Sequence, residues 1–198
     1  MKQFAVGVDI GATNTKVALI SDDGEVAEIE TFPTGRDDAA RLIACIRDAA
    51  ARCRGTASIR GAGAAVAGFI NFERDRLSYN PNLEWLVGFP LRDAMADALG
   101  VAVQLEVDSN ASCLSEYRYG AGRGSSRFLC LVGGTGLGGG MVIDGELVRF
   151  MGECIGDAGH VVVDANGPVC PCGGRGCAEV MVSEHTIVER AQSGGTLR

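Results

Sequence analysis

The chain has 198 residues, of which 46% are hydrophobic and 22% charged, a balance typical of a globular protein with one large or two small domains. Its 18 basic and 25 acidic side chains give a net charge of −7, so it lacks the positive surface of a nucleic-acid-binding protein or one that binds an anionic membrane. It contains no apolar run of about 18 residues and no signal-peptide layout, so we expect a cytoplasmic protein without a membrane partner.

The first part of the chain predicts a sheet that begins as a β-meander and is covered by helices. Apolar runs separated by turn residues predict the strands, and apolar residues at helical spacing predict the helices. The predicted elements are strands at 4–10, 16–20 and 26–32, a helix at 37–53, a strand at 59–67, an irregular loop from Gly68 to about Leu83, a helix at 89–100, a strand at 101–108 and a helix from Asn110 to Tyr119.

The second part repeats the opening plan of strand, glycine turn and strand. It begins after a linker of Gly, Ser and Arg at 120–127, which we take as the domain boundary, giving domains at 1–119 and 120–198. A strand is predicted at 128–134, then a hairpin at 139–148 with its turn at Asp144-Gly145. A cysteine-containing loop follows and leads into a helix from about 179.

Two glycine turns are candidate phosphate-binding loops. The first, DIGATNTK at 9–16, lies between two predicted strands and offers backbone N–H groups with the Thr13 and Thr15 hydroxyls, while Asp9 is placed to hold Mg²⁺ through water. Alone it is equally the turn of an ordinary hairpin. The second, GGTGLGGG at 133–140, has six glycines in eight residues, so its backbone must approach something closely, and nucleotide phosphates fit. Two such turns together favour a nucleotide site.

Asp108 has two possible roles. It ends a predicted strand and precedes a helix that Ser109 or Asn110 would cap. Its carboxylate could accept a proton from a substrate hydroxyl as a general base, or it could itself be only a helix cap.

A histidine and three cysteines near the C-terminal end predict a structural zinc site. His160, Cys170, Cys172 and Cys177 match the Cys3His ligand set, and the intervening glycines allow the loop to turn back on itself. The alternative is a group of unrelated buried thiols beside a surface histidine. We expect the remaining cysteines to be structural, namely Cys45, Cys53, Cys113, Cys130 and Cys154.

The order of these motifs resembles the ROK family of sugar kinases and sugar-responsive repressors over essentially the whole chain. The motifs that carry the resemblance are DIGATNTK, NPNLEW at 80–85, VDSNA at 107–111, GGTGLGGG, the D-x-G-H at 157–160 and the C-x-C-G-x-x-G-C-x-E at 170–179. The resemblance implies an α/β, two-lobed actin-like ribonuclease-H fold that binds ATP and a sugar in the cleft between its lobes. It also implies a hexose kinase, with glucose the expected substrate, and a homodimer where the second lobe is complete.

The resemblance also implies roles for particular residues. Asp108 matches the catalytic base, and His160 is expected to contact the sugar as well as zinc. The ATP-binding positions are Asp9, Gly11, Ala12, Thr13, Asn14, Gly134, Thr135, Gly136, Leu137 and Gly138, and the sugar-binding positions are Asn82, Asp108, Asp157, His160 and Glu179. The implied cofactors are ATP, Mg²⁺ and Zn²⁺.

Three departures from the family pattern bear on function. Val107 replaces the Asn that usually precedes the catalytic Asp, Asp157 replaces a Glu, and family members are longer, so we expect a second lobe that is truncated. Two alternatives to a kinase follow. One is a sugar-binding remnant that does not turn over ATP. The other is a family repressor, although the DIG motif begins at Asp9 and we therefore expect no DNA-binding domain before it.

Overall fold

The computed structural model describes residues 2–134, 136–149 and 158–192. The chain divides into two compact units, residues 1–108 and 109–198. The boundary predicted from sequence lies one helix later, after residue 119, so the helix that follows Asp108 is grouped with the second unit here and with the first domain in the prediction.

The first unit is built from a sheet, two helices and a short hairpin. In chain order its elements are β1 (Phe4–Ile10), β2 (Asn14–Ser21), β3 (Val26–Pro33), α1 (Ala39–Arg54), β4 (Ile59–Val66), β5 (Phe69–Ile70), β6 (Leu77–Tyr79), a 3₁₀ turn (Glu84–Leu86), α2 (Leu91–Leu99) and β7 (Val103–Val107). The predicted meander is confirmed, because β1 pairs antiparallel with β2 and β2 pairs antiparallel with β3.

The sheet has the strand order β3-β2-β1-β4-β7, and β1, β4 and β7 run parallel. Side chains on alternate positions of β1, namely Val6, Val8 and Ile10, are buried in a core cluster with α1 and α2. Burial of these apolar side chains drives the helices onto the sheet. Because β1, β4 and β7 are parallel, their carboxyl ends lie at the same end of the sheet, where the turn after β1, the segment after β4 and Asp108 after β7 are found.

The ends of both helices follow sequence rules. The Asp38 side chain accepts a hydrogen bond from the Arg41 N–H and caps α1, in the segment where acidic residues predict a helix start. Gly100 ends α2 with φ of 69°, as predicted, because a left-handed conformation is cheapest for glycine.

The predicted irregular loop from Gly68 to Leu83 is wrong in part, because it contains the β5–β6 hairpin. Arg74 lies in the turn of this hairpin at φ of 54°. Its guanidinium donates to the Leu105 carbonyl at 2.6 Å and to the Glu106 carboxylate at 2.7 Å, which fastens the hairpin to β7. A contact with so distant a residue gives no periodic signal in the sequence.

The second unit is a small sheet followed by a loop and two helices. Its elements are α3 (Asp108–Tyr119), β8 (Arg127–Gly133), β9 (Leu137–Ile143), β10 (Glu146–Leu147), a 3₁₀ turn (Ala158–His160), α4 (Ala178–Val182) and α5 (Glu184–Gln192). The hairpin turn is confirmed, with Asp144 and Gly145 at φ of 49° and 90°. The predicted cap is wrong, because α3 already begins at Asp108 and Ser109 and Asn110 lie inside it.

Among the described residues, no helix has both the length and the apolar character needed to cross a bilayer.

Candidate functional site

The turn between β1 and β2 is closed by its own backbone and held from outside by Thr34. The Gly11 N–H donates to the Asn14 carbonyl at 3.1 Å. The Thr34 N–H donates to the Thr13 carbonyl at 3.0 Å, and the Thr34 hydroxyl donates to the Gly11 carbonyl at 2.7 Å. The turn is therefore a fixed scaffold, and Ala12 and Thr13 are exposed at its tip.

Thr15 does not serve the turn as a phosphate ligand. Its side chain is fully buried and its hydroxyl lies 2.9 Å from the Thr34 hydroxyl. The prediction that Thr15 faces a phosphate is wrong, and its function is to hold Thr34 in place. Thr34 itself was missed by sequence reasoning, because a single Thr after a strand carries no motif.

Asp9 lies across the hairpin from Lys16, with which it is in register. The Lys16 ammonium lies 3.3 Å from the Asp9 carboxylate, and the Asp9 side chain is 49% exposed. A metal ion that bound the Asp9 carboxylate through water would therefore share this carboxylate with the Lys16 ammonium.

A cavity of about 670 Å³ in the first unit brings together residues from two predicted motifs. It is lined by Ala12, Thr13, Arg36, Pro81, Asn82, Glu84 and Trp85. The loop that carries Asn82 is set by Asn80, whose side chain accepts from the Asn82 N–H at 2.7 Å and donates to the Ala67 carbonyl at 2.9 Å. Predicted phosphate-turn residues and a predicted sugar-binding residue thus share one cavity.

Asp108 is the first residue of α3 and directly follows β7. The end of β7 is fixed by Glu106, which is buried and whose carboxylate accepts from the Val107 N–H at 3.0 Å and from Arg74 at 2.7 Å. Val107, where the family pattern has Asn, is buried in the core cluster. The backbone before Asp108 is therefore held by an ion pair on one side and by apolar packing on the other.

The glycines of the second glycine turn serve different structural roles. A Cβ on Gly138 would lie 3.0 Å from the Ser109 Cβ, and one on Gly140 would lie 2.5 Å from the Cys113 Cβ. These two glycines allow α3 to pack closely on β9, a contact that the sequence interpretation attributed to phosphate. Gly134, in contrast, has open space where a Cβ would be. Thr135 lies outside the described residues.

Glu179 connects the glycine turn to the cysteine loop. Its carboxylate accepts from the Leu137 N–H at 3.0 Å, and a Cβ on Gly136 would lie 2.4 Å from the same carboxylate oxygen. Leu137 is a predicted nucleotide-binding position and Glu179 a predicted sugar-binding position. Asp157, another predicted sugar ligand, lies outside the described residues.

The four predicted metal ligands form one cluster. The donor atoms of His160, Cys170, Cys172 and Cys177 all lie within 4.8 Å of one another. The Cys170 Sγ is 3.5 Å from the His160 Nδ1, and the Cys172 Sγ is 3.7 Å from the Cys177 Sγ. Gly173 and Gly176, at φ of 91° and 66°, turn the loop so that the thiols converge.

These distances fit a tetrahedral metal ion. With zinc–sulfur and zinc–nitrogen bonds of about 2.3 and 2.0 Å, the edges of the tetrahedron are about 3.8 Å between sulfurs and about 3.5 Å between sulfur and nitrogen. The thiols also differ in acidity. A hydrogen bond from the Gly174 N–H lowers the pKa of Cys172, whereas burial raises the pKa of Cys177 to about 12. A cation binding here must displace a proton from Cys177.

The other described cysteines lie apart from this cluster. Cys53 and Cys113 are buried, Cys45 and Cys130 are half-buried, and all four are free thiols. Burial raises the pKa of Cys53 and of Cys113, which keeps both thiols neutral. Cys154 lies outside the described residues.

The sequence matches the model of the ROK family over residues 5–197. It is 37% identical to the glucokinase of Thermotoga maritima over 186 residues, which covers 92% of this chain and 58% of the relative. It is 33% identical to the N-acetylmannosamine kinase of Citrobacter koseri over 190 residues, covering 94% of this chain and 64% of that relative. The chain thus spans less than two thirds of either protein.

Solved structures agree with the sequence matches. A ROK family glucokinase from Streptomyces griseus, in complex with glucose and AMPPNP, is similar with a TM-score of 0.81 at 31% identity, covering 96% of this chain and 60% of that chain. A ROK family transcriptional regulator, a homologue of the Escherichia coli MLC protein, has a TM-score of 0.81 at 21% identity, covering 97% of this chain and 50% of that one. The predicted α/β fold is confirmed.

Proposed function

The chain belongs to the ROK family, and on that premise we propose that it phosphorylates a hexose with ATP, glucose being the first substrate to test. Sugar phosphorylation is the activity in the names of the glucokinase and N-acetylmannosamine kinase relatives. The structural observation that supports the proposal most is the shared cavity, in which Thr13 of a predicted phosphate turn and Asn82 of a predicted sugar loop line one space.

Asp108 is the proposed general base. Phosphoryl transfer requires an attacking hydroxyl in line with the γ-phosphate and a carboxylate to take its proton. The rigid end of β7, held by the bond from Arg74 to Glu106, gives the Asp108 backbone a fixed position. A general base on a fixed backbone is already oriented when the substrate binds. Less conformational entropy is therefore lost when the transition state forms.

Gly11 to Asn14 and Gly134 to Gly138 are the proposed phosphate-binding turns. In the first turn the Gly11 N–H is already bonded to the Asn14 carbonyl, so the exposed residues Ala12, Thr13 and Asn14 are the proposed donors to a phosphate. The Asp9 carboxylate is proposed to hold a Mg²⁺ ion through a bridging water molecule. Such an ion would offset the negative charge of the phosphates. The Lys16 ammonium forms an ion pair with that carboxylate at 3.3 Å.

His160, Cys170, Cys172 and Cys177 are the proposed zinc ligands. The Nδ1 atom of His160 faces the thiols and is the proposed metal-binding atom. The Nε2 atom is therefore the one proposed to contact the sugar. Zinc bound here supplies structural stability and fixes the imidazole ring. Glu179 follows Cys177 by two residues, so the same loop positions its carboxylate as a proposed acceptor for sugar hydroxyls.

The test is ATP-dependent phosphorylation by the purified full chain, with glucose, N-acetylmannosamine, N-acetylglucosamine and fructose as substrates. We expect formation of ADP and a sugar phosphate with at least one of them. Asp108→Asn should lower kcat by about 100-fold or more while sugar binding and the melting temperature stay near those of the parent. Undiminished turnover in Asp108→Asn would show that this residue is only the start of a helix.

A second candidate is a protein that binds the sugar without transferring phosphate. Val107 favours it, because this buried apolar side chain occupies the position where the family pattern has an amide. Sugar binding by calorimetry together with no ADP formation on any of the four sugars would select this candidate over the kinase.

A further inference from the structure

We propose that Arg36 binds the phosphate group of a phosphorylated ligand in the cavity of the first unit. The inference rests on the proposed function and adds a contact to it that selects the phosphorylated form of the sugar. The shared chemistry is a phosphate monoester or the terminal phosphate of a nucleotide, and the sugar phosphate is the first ligand to consider.

The backbone at Arg36 is positioned by the phosphate turn itself. Thr34 is 3% exposed and is bonded through its N–H to the Thr13 carbonyl and through its hydroxyl to the Gly11 carbonyl. Gly35, at φ of 89°, then redirects the chain. Arg36 follows at once and lines the same cavity as Thr13, so its place beside the turn is set by buried hydrogen bonds.

The Arg36 guanidinium has no protein acceptor among the described residues. Other arginines of the first unit form ion pairs with acidic side chains: Arg52 pairs with Glu30, Arg74 with Glu106 and Arg76 with Asp75. Arg36 therefore brings a positive charge, not paired with any acceptor among the described residues, to a cavity whose lining also includes the Glu84 carboxylate. A planar guanidinium suits the oxygens of a phosphate group because it can donate two parallel hydrogen bonds.

The polar groups around Arg36 fit a ligand with one anionic and one hydroxylated end. Arg36 and the Thr13 hydroxyl are donors, the Glu84 carboxylate is an acceptor, and the Asn82 amide is both. A free sugar can use Glu84 and Asn82 but offers nothing that requires the guanidinium. A sugar phosphate uses both sets of groups, which gives it an affinity advantage that depends on Arg36.

Ligand binding in this cavity can be measured by tryptophan fluorescence. Trp85 lines it and is the single tryptophan of the sequence, so intrinsic fluorescence reports occupancy without a label. The full chain is titrated with glucose, glucose 6-phosphate, inorganic phosphate and ATP with Mg²⁺, and each dissociation constant is measured for the parent, Arg36→Gln and Arg36→Lys. The matched control is Arg41→Gln, which removes the same charge from the exposed start of α1.

We expect Arg36→Gln to weaken glucose 6-phosphate binding by about tenfold or more, with glucose binding changed by less than about twofold. Arg36→Lys should give an intermediate value, and Arg41→Gln should match the parent. A loss confined to inorganic phosphate and ATP would support the same contact and assign it to the nucleotide. The inference is overturned if Arg36→Gln binds every phosphorylated ligand as the parent does, if Arg41→Gln loses as much, or if none of these ligands binds the parent.

These outcomes are separate from a failure of the proposed function. Turnover of sugars decides whether the chain is a kinase. The ratio of the two dissociation constants, for glucose 6-phosphate and for glucose, decides the role of Arg36 and needs no turnover.

Discussion

Glu179 is a residue at which two proposed functions meet, because the carboxylate proposed to bind sugar hydroxyls also accepts the backbone N–H of Leu137. Its position depends on the absence of a side chain at Gly136, where a Cβ would lie 2.4 Å from the carboxylate oxygen. The glycine therefore makes room for a carboxylate of the chain itself. The repeat of glycines predicts close approach, but the sequence does not tell which group approaches.

Gly136→Ala should displace the Glu179 carboxylate and remove its bond to Leu137. We expect kcat/KM for the sugar to fall by about tenfold or more, while zinc content stays unchanged because the four metal ligands are untouched. The control is Gly133→Ala, whose added methyl group would meet no atom within 4 Å. Equal kinetics for the two variants would contradict the steric role of Gly136.

The cysteine loop is the element whose local arrangement the sequence predicted best. Residue identity and spacing are local properties, so the sequence alone predicts the cluster of His160, Cys170, Cys172 and Cys177 that the structure brings together. The attachment of the β5–β6 hairpin to β7 through Arg74, and that of Thr34 to the turn between β1 and β2, could not be predicted in the same way. Both depend on hydrogen bonds between residues far apart in the chain, and neither leaves a periodic pattern.

Cys172→Ser should lower bound zinc to well under one equivalent and lower the melting temperature by about 5 °C or more, because metal binding contributes to folding. Zinc is measured by elemental analysis and unfolding by calorimetry on the same samples. Cys45→Ser is the matched control, since Cys45 lies on α1, away from the ligand cluster. Full zinc occupancy in Cys172→Ser would refute the ligand assignment.

The β5–β6 hairpin should lose stability in acid through Asp75. The Arg76 guanidinium beside it, together with the Asn71 amide, holds the pKa of the Asp75 carboxyl well below its usual range. A lowered folded-state pKa contributes stability that is complete above about pH 4 and is lost as pH falls toward the folded-state value.

Asp75→Asn should therefore lower the melting temperature at pH 7, and the gap to the parent should be smaller at pH 3, where part of the contribution of the carboxylate is already lost. Asp97→Asn, at an exposed position of α2, is the control and should show no such gap. A gap for Asp75→Asn that stays constant between the two pH values would mean that its carboxylate charge does not contribute.

At the scale of the whole molecule, apolar burial is unequal. The core cluster lies entirely between Val6 and Val107, in the first unit. In the second unit, apolar side chains are exposed on a strand, on the cysteine loop and on a helix. Among them are Leu129, Leu131, Val161, Val162, Val163, Val169, Ile187 and Val188. We therefore expect the first unit to fold by itself and the second to need a metal ion at the four predicted ligands.

A fragment of residues 1–108 should fold cooperatively, with a single urea transition followed by circular dichroism. A fragment of residues 109–198 should show no cooperative transition without zinc and should bind a hydrophobic dye such as ANS through its exposed apolar side chains. A cooperative, metal-independent transition in the second fragment would contradict the unequal division of the core.

The hydrogen bond from Leu137 to Glu179 has a thermodynamic consequence. It joins the glycine turn to a residue two positions from Cys177, so we expect a change at the turn to affect the predicted metal ligands. If zinc increases the affinity of the turn for a phosphate donor, thermodynamic linkage requires that the donor increase the affinity for zinc by the same factor. Nucleotide would then slow the removal of zinc by a chelator, and the metal would act as a reciprocal partner of the substrate.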